Sequence, residues 1–193
     1  MISTALESAN YSETPFPHIL ASEGLCSDYA VALLRWLETD APWVLVEESF
    51  YEQYEFSLRN VKLPAEAASL ISVESLARLR ALIEKWFTTR LSEKVDVTAH
   101  KLVAGQTIRI HNDFIPGQET HRLLVQLNRG WADENGGLLM FFNSPDPRDL
   151  KRVFRPTHNS CVAFEISRKS LHAVSTIHGG QRFTLVYSFF AEH

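Results

Sequence analysis

Cysteine is scarce in this chain. Cys26 and Cys161 are the only two in 193 residues, too few and too far apart to build a disulfide framework. They sit in the apolar settings GLCSDY and NSCVAF, where a thiol is expected to behave as a small buried hydrophobe. Blocks of like charge are missing as well. With 19 basic against 23 acidic side chains and a net charge of -4, the chain has no Lys/Arg cluster of the kind that marks a nucleic-acid or anionic-membrane surface. No nucleic acid and no membrane is therefore expected among its partners. The opening MISTALESANYSET has no basic start followed by an apolar run, and no segment approaches the roughly 18 apolar residues of a membrane span. We expect neither export nor insertion, and a reducing cytoplasm as the location. Internal repeats and low-complexity stretches are absent too.

What remains is an ordinary globular composition, 45% hydrophobic and 22% charged, long enough for one well-filled core and short for two. We expect a single domain over residues 1–193, with a helical buttress over about 1–95 and a β core over about 96–193. After the extended PFPHIL, the stretch SDYAVALLRWLE carries apolar residues at Tyr29, Leu33, Leu34, Trp36 and Leu37 with Ser27 placed as an N-cap, which predicts a helix. Residues 42 to 56 alternate in character and predict strands. Ser72 is placed to cap a second helix running to Arg90, whose Leu76, Leu79, Ile83, Trp86 and Phe87 form one apolar stripe for the core. From residue 95 the period changes. VDVTAHKLV, QTIRIHND, RLLVQLN, GGLLMFF, SCVAFEI and RFTLVYSFF are short β-branched or aromatic runs set off by turn residues, as an antiparallel barrel or jelly roll requires. The expected fold is mainly β with flanking helices.

Within RIHNDF, His111 and Asp113 are two positions apart, so on an extended strand they would project from one face. A neutral imidazole and a carboxylate so placed are half of a metal site; two histidines and one carboxylate on one octahedral face are the ligand set of non-haem Fe(II) oxygenases. His172, in SLHAVSTIHGGQRFTL, is the candidate third ligand. Further on, Arg182 and Thr184 share strand parity. A guanidinium fork suits bidentate recognition of a carboxylate, with the hydroxyl donating to the same oxygens, so a dicarboxylic 2-oxoacid could chelate the metal at one end and be held at the other.

HND at 111–113, RLLVQLN, GGLLMFF and SLHAVSTIHGGQRFTL, in that order, resemble the Fe(II)/2-oxoglutarate-dependent dioxygenases, and among them the prolyl-hydroxylase-like branch. The resemblance covers roughly residues 100–191; PFPHIL, the helix after it and SFYEQYEF are similar to the N-terminal part of the same branch. It implies a double-stranded β-helix (jelly-roll) core, Fe(II), 2-oxoglutarate and O2 as cofactors, His111, Asp113 and His172 as iron ligands, and Arg182 and Thr184 at the 2-oxoglutarate carboxylate. Where relatives often carry a tyrosine that reaches 2-oxoglutarate, this chain has Gln126, whose amide can donate a similar bond. Asp113, where halogenating relatives carry a small residue, argues for hydroxylation.

Arg109 shares parity with His111, and Arg122 with Gln126, so each is a candidate for binding substrate; for Arg109 the alternative is an ion pair with an acid at the core's rim. His18, His100, His121, His158, His178 and His193 are read as surface or structural. Tyr51, Tyr54 and Phe56 are core aromatics or pocket walls, and the polar stretch 143–159 is a solvated connection or a lip of the pocket. The expected activity is hydroxylation of an unactivated C–H bond in a prolyl or other amino-acid, peptide or small-molecule substrate. The same ligands would also serve desaturation or cyclisation, or a non-catalytic metal-binding jelly roll. Nothing in the sequence fixes an oligomeric state.

Overall fold

The computed structural model describes residues 2–192, Glu66 by its backbone alone; Met1 and His193 lie outside the described residues. The first half of the chain supplies strands β1 (Asn10–Ser12), β2 (His18–Ala21), β3 (Val44–Glu47) and β4 (Glu52–Ser57). It also supplies helices α1 (Ser27–Thr39), the single turn α2 (Ala65–Ala68) and α3 (Val73–Phe87). Then follow β5 (Leu91–Leu102), β6 (Ile108–His111), β7 (His121–Gln126) and β8 (Leu139–Phe142). The chain finishes with β9 (Leu150–Phe154), β10 (Cys161–Glu165), β11 (His172–Val174) and β12 (Arg182–Ala191).

The strands form two antiparallel sheets, one ordered β1-β2-β10-β7-β12-β5-β4-β3 and the other β6-β11-β8-β9, the two faces of a jelly roll. Strand β12 shows how one sequence serves both sides of the large sheet. Its residues Phe183, Leu185, Tyr187 and Phe189 are buried in the cluster that includes Leu33, Leu37, Leu79 and Ile83 of the helices. The alternate residue Val186 packs with Leu124, Phe141, Phe164 and Val174 in the second cluster, between the sheets. The period of two along a strand makes this division. Each fully buried leucine of the helix face adds roughly 2 kcal/mol of transfer free energy, so the helices are held by packing on the sheet.

Local chemistry sets the helix ends. The Ser72 side chain accepts from the Ser75 N–H and starts α3, and Thr88, left-handed at φ 52, stops it, short of the Arg90 expected from the apolar stripe. At α1 the expectation is corrected: the cap position is Cys26, which makes no side-chain capping bond, and Ser27 is already the first helical residue. Cys26 is also exposed, contrary to the buried thiol expected there, whereas Cys161 is buried; both are free. The stretch 143–159 is not a plain connection, because it contains β9, paired with β8. No helix among the described residues is long and apolar enough to cross a membrane.

Candidate metal centre

The small sheet brings the two histidines together. His111, the last residue of β6, lies directly opposite His172, the first of β11, and their ring centroids are 4.2 Å apart. Asp113 joins them by a route that strand parity does not describe. The strand has already ended, and a left-handed backbone at φ 58 turns the carboxylate back, one oxygen 3.3 Å from His111 Nε2 and the other 3.1 Å from His172 Nε2. One donor atom from each of the three residues lies within 4.8 Å of the others.

The tautomers show what this cluster accepts. His111 Nδ1 faces the Arg109 carbonyl at 2.8 Å and His172 Nδ1 the Ser170 carbonyl at 2.7 Å, so each ring proton is committed there and each Nε2 carries a lone pair. Two imidazole lone pairs and a carboxylate then converge with no proton between them, an arrangement that a cation satisfies. The imidazole of His172 is held below its usual range by burial and by His111, which keeps it in the ligating form. Burial would push the Asp113 carboxyl up, yet the Arg122 guanidinium together with the His111 and His172 side chains outweighs it and holds the group well below the usual carboxylate range. Phe50 packs on His111 at 4.6 Å and Phe164 on His172 at 4.9 Å between centroids, screening the rings from water.

Beside the cluster opens a cavity of about 370 Å³, lined by His111, Asp113 and His172 and also by Arg182 and Thr184. Arg182 is 4% exposed. Its Nη1 donates to Thr184 Oγ1 at 2.9 Å, its Nε has no partner, and no carboxylate pairs with it among the described residues. Burial draws its pKa down to about 10, still far above neutrality, so a cation faces the cavity without a counter-ion. A buried charge in that state is costly and calls for an anionic ligand. The Gly136-Gly137 turn makes room for it: both glycines have positive φ, and a Cβ on Gly137 would lie 3.0 Å from Arg182 Cδ and 3.1 Å from Trp131 Cζ2.

Other expectations need adjustment. The Thr184 hydroxyl donates to Gln126 Oε1 at 2.9 Å, and Gln126 sits behind Thr184, outside the cavity lining. It acts on the site through Thr184. Arg122 does face the cavity, but its fork is engaged by Asp113 and Glu119. Arg109 is exposed and donates to the Ser49 carbonyl, outside the cavity and with no acid as partner. The reason is a bulge: Ile108 pairs with Val174 and His111 with His172, three steps on one strand against two on the other, which breaks the assumed parity. Tyr51 lines the cavity, Phe56 is in the helix-side core, and Tyr54 carries Lys101 Nζ over its ring at 4.4 Å. His18 and His121 are buried structural histidines. His100, together with Gln53 and Glu55, lines the cavity; the sequence reading missed all three as cavity residues, because only the pairing of β4 with β5 turns them inward.

Two antiparallel sheets with this donor set beside the cavity have the layout of a jelly-roll metal site. Residues 97–190 match the family model described as the 2OG-Fe(II) oxygenase superfamily. In fold the chain is similar to a prolyl-4-hydroxylase from Pseudomonas putida, with 17% identity, a TM-score of 0.74, and 97% of this chain and 95% of that one covered. A prolyl hydroxylase from Trichoplax adhaerens, solved with a hypoxia inducible factor peptide fragment, gives 13% and 0.71 over 90% and 83% of the two chains. The viral collagen prolyl hydroxylase of Paramecium Bursaria Chlorella virus-1, solved with 2-oxoglutarate, gives 15% and 0.66 over 91% and 96%. No curated protein sequence matches the chain. The matched region is 94 of the chain's 193 residues, and together with the donor set it indicates a 2-oxoglutarate-dependent oxygenase, an enzyme whose cofactors are Fe(II), 2-oxoglutarate and O2.

Proposed function

We propose that the protein hydroxylates an unactivated C–H bond of an amino-acid or peptide substrate, prolyl residues included, and that it does so as one domain over residues 1–193 in a reducing cytoplasm. The observation that carries the reading is the meeting, in one cavity, of the His111, Asp113 and His172 donor set with the unpaired Arg182 guanidinium. The two free thiols fit the compartment.

In this reading His111 Nε2, the Asp113 carboxylate and His172 Nε2 would hold the iron, beside the cavity they line. When bound, the iron and 2-oxoglutarate supply the oxidising power, 2-oxoglutarate and O2 giving succinate, carbon dioxide and one oxygen atom inserted into the C–H bond as a hydroxyl. The chain supplies position. Arg182 clasps the distal carboxylate, and Thr184, fixed by Gln126, sets the plane of that guanidinium through its own bond to Nη1. The Arg109 and Ser170 carbonyls keep both ligand rings in the correct tautomer, and the Phe50 and Phe164 rings limit water at the centre.

Anaerobic addition of 2-oxoglutarate to the iron-loaded protein is expected to produce a weak visible charge-transfer band. Arg182→Ala, which removes the clasp, is expected to abolish it at the same concentrations. Absence of the band in the wild type would refute the proposal. With substrate present, a gain of one oxygen in mass alongside succinate release identifies hydroxylation, and a loss of two hydrogens identifies desaturation or ring closure.

A further inference from the structure

Toward one edge of the large sheet, β4, paired with β5, contributes a part of the cavity wall that the oxygenase chemistry above does not use. Its residues Gln53 and Glu55 line the same cavity as Arg182 and the metal-ligand cluster. The Glu55 side chain is 25% exposed and accepts from Gln53 Nε2 at 2.7 Å. No lysine or arginine reaches it among the described residues. The closest titratable partner is His100, Nε2 at 3.8 Å, too far for a hydrogen bond, and burial holds that imidazole neutral, its pKa near 3. Gln53 is itself 2% exposed. Its Nε2 is taken by Glu55 and by His100 Nδ1 at 3.3 Å, and its Oε1 has no hydrogen-bond partner.

The free valences of Gln53 and Glu55 are all acceptors, an amide oxygen and a carboxylate. Of the two guanidinium groups that line the cavity, Arg122 is engaged by Asp113 and Glu119, and Arg182 is bonded to Thr184. Tyr51 stands on the same wall, its hydroxyl pushed up to about 12 by burial and by the carboxylates of Glu55, Glu48 and Asp113. At Tyr51 the surrounding carboxylates outweigh the Arg122 guanidinium, and its ring offers an aromatic face for a cation. An acceptor-only, partly buried carboxylate is stabilised by a ligand that brings both donors and positive charge.

We propose that Glu55 and the Gln53 carbonyl form a subsite for an ammonium or guanidinium group of the substrate, so that the C–H bond oxidised belongs to an organic cation. The inference rests on the oxygenase reading, which it narrows. It is tested with the full-length protein holding Zn(II) in place of iron, which binds without turnover. Calorimetric titration compares ligand pairs differing by one charge: N-acetyl-lysine amide with N-acetyl-norleucine amide, N-acetyl-arginine amide with its citrulline isostere, and prolinamide with N-acetylprolinamide. The first two pairs report a side-chain cation and the third an α-ammonium.

The expected result is a preference of at least about tenfold for the cation in one pair, collapsing in Glu55→Gln while 2-oxoglutarate still binds. Equal binding within every pair overturns the proposal, as does a preference that survives Glu55→Gln. Should Glu55→Gln lose its fold by circular dichroism, Gln53→Leu carries the same expectation. The two readings separate cleanly. A protein that binds 2-oxoglutarate but ignores charge loses the subsite and keeps the oxygenase; one that selects the cation but binds no 2-oxoglutarate does the reverse.

Discussion

Replacing Gly137 by alanine tests whether the Gly-Gly turn exists to seat Arg182. The glycine has φ +64, and an added Cβ would meet Ile177 Cδ1 at 2.5 Å, Arg182 Cδ at 3.0 Å and Trp131 Cζ2 at 3.1 Å. The isoleucine methyl is a chain end and can rotate aside. The Trp131 ring cannot, since its Nε1–H is tied to the Gly136 carbonyl at 2.9 Å. Arg182 must therefore give way by a few tenths of an ångström. The left-handed backbone costs alanine about 1 kcal/mol, and overpacking a filled core adds about 1–3 kcal/mol, so we expect a loss of about 2–4 kcal/mol in urea denaturation. Displacement of the guanidinium should also weaken 2-oxoglutarate binding to the Zn(II) form about tenfold, roughly the value of one charge-assisted bond. Gly105→Ala is the control. There φ is +92 and a Cβ meets nothing within 4 Å, so only the backbone cost of about 1 kcal/mol applies and 2-oxoglutarate affinity is unchanged. If the two variants lose equal stability and both bind 2-oxoglutarate like the wild type, the seating argument is wrong.

Two further predictions concern stability. The Asn159 side chain accepts from the Leu25 N–H at 2.9 Å and donates to the Leu25 carbonyl at 2.7 Å, both buried. Asn159→Ala strands both backbone groups and is expected to cost about 2–5 kcal/mol in chemical denaturation; a loss below about 1 kcal/mol would show that water replaces the amide. Burial draws the His121 imidazole down to about 4 from an ordinary 6.5. The native state then binds fewer protons than the unfolded chain between those values, so this contribution is complete above pH 6.5 and is lost as pH falls toward 4. In His121→Leu the fall in unfolding free energy between neutral pH and about pH 4.5 should be smaller than in the wild type by about 2–3 kcal/mol. Parallel curves for the two proteins would assign the acid sensitivity elsewhere.

The catalytic half was legible because its signals are local and redundant. The runs of β5, β7, β10 and β12 are short, apolar and set off by turn residues, and His111, His172 and Arg182 lie at strand ends. What escaped depends on long-range pairing. Parity failed for Arg109 because the bulge between β6 and β11 is a property of two strands together. Strand β9 reads as a loop because the side chains of Leu150, Lys151, Arg152 and Val153 are all exposed. The inward turn of Glu55 and His100 follows from their facing each other across β4 and β5, 45 residues apart in the chain. Helix α1 was legible by its stripe, but its first residue was not, since Cys26 makes no cap that the sequence could advertise.

The segments ahead of the family-matching region do more than buttress. The match begins inside β5, at residue 97, while β4 runs alongside β5 and β2 alongside β10, each from earlier in the chain. Trimming the protein to its recognisable portion would therefore strip backbone partners from both flanks at once, baring two rows of amide and carbonyl groups to passing strands of other molecules. Insolubility of such a fragment would follow from that loss of cover alone, and would say nothing against the chemistry of the iron-binding end.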